Sequence, residues 1–221
     1  MTTLDLTVAG SGKRLPVRPE KLIVAGYTAR DEAAVARHIE ELAAIGVPPP
    51  PAVPMFYDLD PALLSTEAQV TVDGTATSGE VEPVLIRHDG TYYLGVGSDH
   101  TDRELERDDI AASKAACPKP VGGAVVELGP TPVFPDWDQA QAGSEVDGQP
   151  YQSGAVSSLR HPAELLERMT ATIGDIAGDF VLFCGTLALI GGKFVHGDTW
   201  SLSLTLPAAA PLTHTYTTAP R

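Results

Sequence analysis

The chain has 221 residues and very little of several things. Only two cysteines, Cys117 and Cys184, are present, too few for a disulfide framework, which predicts a reducing, cytoplasmic setting. Aromatic residues make up 6% and no long apolar run exists: the longest, Phe180 to Leu189, is far short of the roughly 20 residues a membrane span needs. The first residues, Met1-Thr2-Thr3-Leu4-Asp5, carry neither a basic region nor an apolar stretch, so no secretory signal is expected. Basic residues are scarce as well. Against 29 Asp and Glu stand 15 Lys and Arg, a net charge of −14, which disfavours nucleic acid and anionic membrane surfaces as partners.

Familiar catalytic signatures are missing too. Gly10-Ser11-Gly12-Lys13 is followed by Arg14 where a phosphate-binding loop needs Ser or Thr, and reads as a hairpin turn. There is no CxxC pair, no GxSxG elbow and no His pair at zinc spacing. Cys184 reads as a small buried apolar residue.

What is present is 43% hydrophobic residues, with 21 Gly and 19 Pro dispersed along the chain. That pattern predicts many turns between short strands, in one domain spanning 1–221, with an N-terminal strand and helix segment over 1–65 and a β-rich core over 66–221. A helix is expected after Thr28, capped by it with Asp31 in a capping box, striped by Val35, Ile39, Leu42 and Ala43, and stopped at Gly46. Further helices are expected from Pro162 to about Met169 and around Ile110 to Ala116. Asp73-Gly74 and His88-Asp89-Gly90 read as hairpin turns, and Val181 to Leu189 and Trp200 to Leu206 as strands. Without regular βα alternation, the class is α+β and β-rich.

Three segments could carry chemistry. In a strand through Glu80-Val81-Glu82-Pro83-Val84-Leu85-Ile86, alternate residues share a face, so two carboxylates sit with Val84 and Ile86. Buried charge is costly unless it is paired or holds a metal. If the His88-Asp89-Gly90 turn closes a hairpin, Asp99 comes beside Glu80 and Glu82. An all-oxygen set of this kind suits Mg²⁺ or Mn²⁺. On the first helix, His38 and Glu41 are neighbours at i and i+3, and a carboxylate beside an imidazole suits a general base acting on water. Taken alone, the three strings read better as an ordinary exposed face, a polar loop with a local Asp–Arg pair and a surface His–Glu pair.

In their order along the chain, these segments resemble the fumarylacetoacetate hydrolase superfamily, from about Lys21 to Leu206. Lys21-Leu-Ile-Val-Ala-Gly26-Tyr27 followed by His38-x-x-Glu41-Leu42 resembles its N-terminal strand and HxxEL segment. Glu80-Val81-Glu82 resembles its ExE metal motif, and Gly97-Ser98-Asp99 through Arg103-Glu104 its NDxSxRD segment. Lys114 ahead of Pro118 to Gly122, Asp147-Gly148-Gln149 with Tyr151-Gln152, Gly178-Asp179 through Gly185-Thr186, and Gly197-Asp198 are similar to its later landmarks. Departures exist: Tyr27 and His38 stand eleven positions apart, Ser98 replaces Asn, Glu106 stands where Gln is common, and Leu187 replaces Pro.

The resemblance implies a mixed β-roll or sandwich, usually a homodimer. It implies Glu80, Glu82 and Asp99 as ligands of Mg²⁺ or Mn²⁺, and His38 with Glu41 as water activators. Lys114 and Arg103 would neutralise substrate oxygens, Tyr27 and Thr186 would contact substrate, and His100 stands beside the metal as another acid/base or substrate contact. The implied activity is hydrolysis of a C–C bond in a small anionic 2-oxo (β-diketo) acid through a metal-stabilised enolate. Decarboxylation, hydration or isomerisation at the same centre, or a non-catalytic dimeric scaffold, are the alternatives.

Overall fold

The computed structural model describes residues 2–44, 49–134, 136–207 and 209–221. The side chains of residues 34, 38, 41, 42 and 44 lie outside the described set. The expected general-base pair, His38 and Glu41, and the expected stop at Gly46 therefore lie outside it too. In chain order the elements are β1 (Leu4–Val8), β2 (Arg14–Val17), β3 (Lys21–Gly26), α1 (Glu32–Ala44), β4 (Met55–Leu59), β5 (Leu64–Ser65), β6 (Gln69–Val72), β7 (Thr77–Ser78), β8 (Val81–His88) and β9 (Thr91–Ser98). There follow β10 (Thr101–Asp102), α2 (Ile110–Ala115), β11 (Lys119–Pro120), β12 (Ala124–Gly129), β13 (Gln141–Val146), β14 (Gln149–Ala155), α3 (Pro162–Ile173), β15 (Phe180–Phe183), β16 (Thr199–Thr205) and β17 (Leu212–Pro220).

Two sheets carry the fold. The larger runs β2-β1-β12-β9-β8-β15-β3-β4 and is mixed, with β1/β12 and β15/β3 parallel. The smaller runs β14-β13-β16-β17-β6, antiparallel except for β6 beside β17. Short ribbons pair β7 with β10 and β5 with β11. The β-rich α+β class and the roll-like architecture expected from the sequence are what the chain adopts.

The central strand β8 is buried on both sides, which is why its apolar run is nearly continuous. Val84 and Ile86 join Leu22, Val24, Val181 and Phe183 on one face. Leu85 joins Ile23, Leu182, and Leu165 and Met169 of α3 on the other. Val81, Leu94 and Val96 pack against Trp200, Leu202, Leu204 and Tyr216 of the smaller sheet. Full burial of one such side chain stabilises by ~1.5–3 kcal/mol. The β8–β9 turn has Asp89 at φ 48° and Gly90 at φ 75°, two consecutive left-handed residues that match strand twist.

Several local expectations are corrected. Asp31, not Thr28, caps α1: its Oδ1 accepts from the Ala33 amide at 2.9 Å, while Thr28 is buried. Ala43, expected in the apolar stripe, is exposed. Asp73-Gly74 turns the chain but closes no hairpin, because β6 pairs with β17 instead. The strand expected to reach Leu189 ends at Phe183, since Gly185 takes φ 95°. Among the described residues no helix is long and apolar enough to cross a membrane.

Candidate active site

Antiparallel pairing of β8 with β9 sets Val81 opposite Ser98 and Glu82 opposite Gly97. The Asp99 amide then donates to the Glu80 carbonyl at 3.0 Å. Glu80, Glu82 and Asp99 are thus brought to the open end of one hairpin. Glu82 and Asp99 are almost wholly buried, and the Glu80 side chain is 14% exposed.

Three cations answer them. Lys114, from α2, bonds Asp99 Oδ2. Lys119, at the start of β11, lies 3.2 Å from Asp99 Oδ1. Arg103 lies 3.3 Å from Glu80 Oε2, grips both oxygens of Glu106 at 2.8 and 3.0 Å, and donates from Nε to Ser78 Oγ at 2.6 Å. The guanidinium expected to meet substrate oxygens is therefore already engaged by Glu80 and Glu106, with the Phe194 ring 3.9 Å from it. Burial acts to raise the Asp99 carboxyl, but Lys114 and Lys119 more than offset it and hold the group well below its usual range. Burial acts to lower Lys114, and Asp99 and Glu80 more than offset that, holding it above the usual lysine range.

Glu82 differs. Burial pushes its carboxyl well above the ordinary range and Asp99 pushes the same way, against Lys114 and the Gly185 amide. That amide donates to Glu82 Oε2 at 2.7 Å, and no ion pair to Glu82 exists among the described residues. Glu80 is also raised, by burial against Arg103 and Lys114. Four carboxyl groups (Glu80, Glu82, Asp99, Glu106) face three cations (Arg103, Lys114, Lys119): with Glu82 protonated the described charges balance, and with Glu82 ionised the site is one positive charge short. Three oxygen-bearing groups with that deficit fit a hard divalent cation. Their ligand atoms are not all within 4.8 Å of one another. Among the described residues the trio that meets that spacing is His88, Asp89 and Asp179, where the β8–β9 turn meets β15. There the His88 ring is hydrogen-bonded within the trio, Nδ1 to Asp179 at 2.5 Å.

Gly185 matters for Glu82. At φ 95° it occupies the left-handed region, and a Cβ there would stand 1.7 Å from Thr28 Oγ1. Gly185→Ala is expected to cost ~2–4 kcal/mol, from backbone strain and overpacking together. Thermal unfolding measures this, and an unchanged midpoint would refute the close approach.

The remaining expected residues divide. Tyr27 is half-buried near Glu106 and Lys114; burial raises its hydroxyl. Thr186 gives its one proton to the Val81 carbonyl at 2.8 Å and accepts from Gln152 Nε2 at 2.8 Å, so it offers no donor to a substrate carboxylate in this geometry. His100 is turned into the inter-sheet core. Its Nδ1 meets Tyr216 at 2.9 Å, its Nε2 meets Thr77 at 3.0 Å, and its ring packs edge-on to Trp200. The expected substrate contact from His100 is thereby corrected. Burial, aided by Lys119 and Arg103, lowers the imidazole to about 3 from 6.5. Below pH 6.5 the unfolded chain takes up a proton that the folded chain refuses, so stability falls as pH drops from 6.5 toward about 3. Thermal midpoints measured against pH for the parent and His100→Gln are expected to diverge across that window.

Sequence reasoning missed Lys119, Tyr57 and the role of Gln152. Tyr57, on β4, has its ring 5.8 Å from Lys114 Nζ, and burial pushes its hydroxyl up to about 12. Gln152 is buried and holds Val81 N, Ser144 Oγ, Thr186 Oγ1 and the Leu187 carbonyl.

A family model described as "protein of unknown function (DUF2848)" matches residues 25–216. The chain belongs to the DUF2848 family. No curated protein matches this DUF2848 chain. Among solved structures it is similar to a candidate fumarylacetoacetate isomerase/hydrolase from Oleispira antarctica, with 19% identity and TM-score 0.69 over 97% of this chain and 99% of that one. It is also similar to 5-carboxymethyl-2-hydroxymuconate delta-isomerase from Mycobacterium smegmatis, with 20% identity and TM-score 0.62 over 93% and 82%. A third, 2-keto-3-deoxyarabinonate dehydratase, gives 15% identity and TM-score 0.63 over 94% and 76%. The fold is fumarylacetoacetate hydrolase-like.

Proposed function

We propose that the chain is a divalent-metal-dependent enzyme that cleaves a C–C bond in a small, anionic, acylpyruvate-like 2-oxo acid. The observation that carries this is Glu82: a buried carboxylate beside Asp99, without an ion pair among the described residues, in a site one cation short. Glu80, Glu82 and Asp99 would hold Mg²⁺ or Mn²⁺, which supplies Lewis-acid stabilisation of negative charge developing on a 2-oxo acid. Lys114 keeps Asp99 ionised and brings positive charge toward an anionic substrate. The Tyr57 ring stands 5.8 Å from the Lys114 ammonium, and Tyr27 is close enough to feel its charge. Activation of water is assigned to His38 with Glu41, and the assembly to a cytoplasmic homodimer, both from the family resemblance.

A second reading keeps the centre and changes the reaction to isomerisation, dehydration or decarboxylation. The fold's occurrence in a named isomerase and a named dehydratase favours considering it. The test is calorimetric titration with Mn²⁺ and Mg²⁺, alone and with oxalate as a chelating mimic, followed by a screen of 2-oxo acids with product analysis. One bound ion and release of pyruvate from acylpyruvates is the expected result. Isomer or CO₂ formation selects the second reading. No ion bound, even with oxalate, removes the metal centre.

A further inference from the structure

Lys119 is 0% exposed; burial pulls its ammonium below the ordinary lysine range, and Asp99 acts against that to keep it charged. Four oxygens surround Nζ: the carbonyls of His100 at 2.6 Å, Cys117 at 3.2 Å and Lys114, and Asp99 Oδ1 at 3.2 Å. An ammonium has three N–H donors; three carbonyls accept from Nζ, and Asp99 Oδ1 is a fourth oxygen drawn in by its charge. They come from separate places in the fold: the end of β9, the last turn of α2 and the loop before β11. The Lys114 carbonyl lies in the last turn of α2, where carbonyls lack an intrahelical donor.

We infer that Lys119 is a positioning residue whose ammonium acts as a tethered monovalent cation in an oxygen cage. It pins Asp99 Oδ1 while Lys114 takes Oδ2, which fixes the carboxylate between two strand ends and a helix end. Shortening the side chain empties the cage and creates a site for free potassium or ammonium ion, which approximate the lost group in size and charge. The part concerning Asp99 as a metal ligand rests on the function proposed above; the cage itself does not.

The experiment compares the parent with Lys119→Ala and Lys119→Met, in chelator, in equal concentrations of KCl, NH₄Cl and tetramethylammonium chloride. An ion bound with Kd ~10 mM and present at ~100 mM favours the folded form ~10-fold, a rise of ~3–6 °C in midpoint for a chain of this size. Lys119→Ala is expected to show that rise in KCl or NH₄Cl over tetramethylammonium. The parent, and Lys119→Met whose methyl group fills the cage, are expected to be indifferent. A Lys119→Ala protein that responds to the salts no more than the parent, or that stays unfolded in potassium and ammonium alike, overturns the inference. Mn²⁺ titration is the second readout. Affinity is expected to fall ~10–100-fold in Lys119→Met, the range for losing a residue that supports a metal ligand, and to recover in Lys119→Ala with KCl. A parent that binds no Mn²⁺ removes the metal reading and leaves the salt result to decide the cage.

Discussion

Glu82→Gln is expected to abolish Mn²⁺ binding and, in the same protein, to raise the thermal midpoint of the metal-free chain at pH 8. Both effects have one source. The Glu82 carboxyl is almost wholly buried, beside Asp99, and its ordinary value of 4.5 is raised well upward, chiefly by burial. Below pH 4.5 both folded and unfolded forms hold the proton and nothing is lost. Above it the unfolded chain ionises freely while the folded chain resists, so stability falls as pH rises toward the folded value and stays lower beyond it. Every tenfold disfavouring of the ionised form costs ~1.4 kcal/mol, which for a chain of this size is ~3–6 °C. A glutamine keeps the shape and still accepts from the Gly185 amide, but carries no charge to desolvate. The gain is therefore expected at pH 8 and absent at pH 4. The loss of metal affinity should exceed the ~10–100-fold that follows removal of a supporting residue. Calorimetry with Mn²⁺ and thermal scans at the two pH values check both halves. Parental Mn²⁺ affinity in the variant would exclude Glu82 as a ligand, and a lower midpoint at pH 8 would mean that the carboxylate is ionised and compensated.

The period-two pattern of β8 was readable because strand alternation is a local rule. Glu82 on the face of Val84 and Ile86 follows from spacing alone, and the His88-Asp89-Gly90 turn brings Asp99 to the same end of the hairpin, with its amide on the Glu80 carbonyl. Long-range packing was not readable. Thr28 and Asp31 are both good caps by local chemistry; the chain uses Asp31 and buries Thr28 against Gly185, and no window around residue 28 contains that packing. Asp73-Gly74 signals a turn correctly, but which strand β6 joins is settled by β17, far away in sequence.

The site shows the same division. Carboxylate spacing and the family resemblance pointed to Glu80, Glu82 and Asp99, which the hairpin brings to one end. Lys119 sits between two prolines in a segment with no periodicity, and its importance arises when the His100, Lys114 and Cys117 carbonyls converge on it. Tyr57 stands on an edge strand and reaches Lys114 only through the pairing of β4 with β3. His100 failed in the opposite direction. A histidine following a proposed metal ligand suggests chemistry, yet strand alternation past Asp99 aims it at Trp200 and Tyr216.

Lys114→Met is expected to destabilise the chain by ~3 kcal/mol, about 6–12 °C, the lower part of the range for breaking a buried ion pair. Lys114 is 7% exposed and Asp99 0%, so removing the ammonium strands a carboxylate that water cannot reach. The cost stays at the lower end because Lys119 remains 3.2 Å from the other oxygen. Asp99 is held below its ordinary 3.8, so its share of the stability is present above that pH and fades as pH falls toward the folded value. Lys114 is held above its ordinary 10.5, so its share is present below that pH and is lost as pH rises through the folded value. The full penalty of the substitution is therefore expected between about pH 4 and pH 10 and shrinks on either side. Adding Asp99→Asn separates pairing from packing. The neutral amide does not need the missing ammonium, so the double variant is expected to be more stable than Lys114→Met alone, a coupling that a double-mutant cycle reads directly. A double variant that melts below both single variants would show that Lys114 acts through its aliphatic stem and the Tyr57 ring instead. Turnover follows a different logic. Asp99→Asn restores stability but removes a proposed ligand, and Lys114→Met takes away the charge offered to substrate, so the double variant is expected to be folded and inactive.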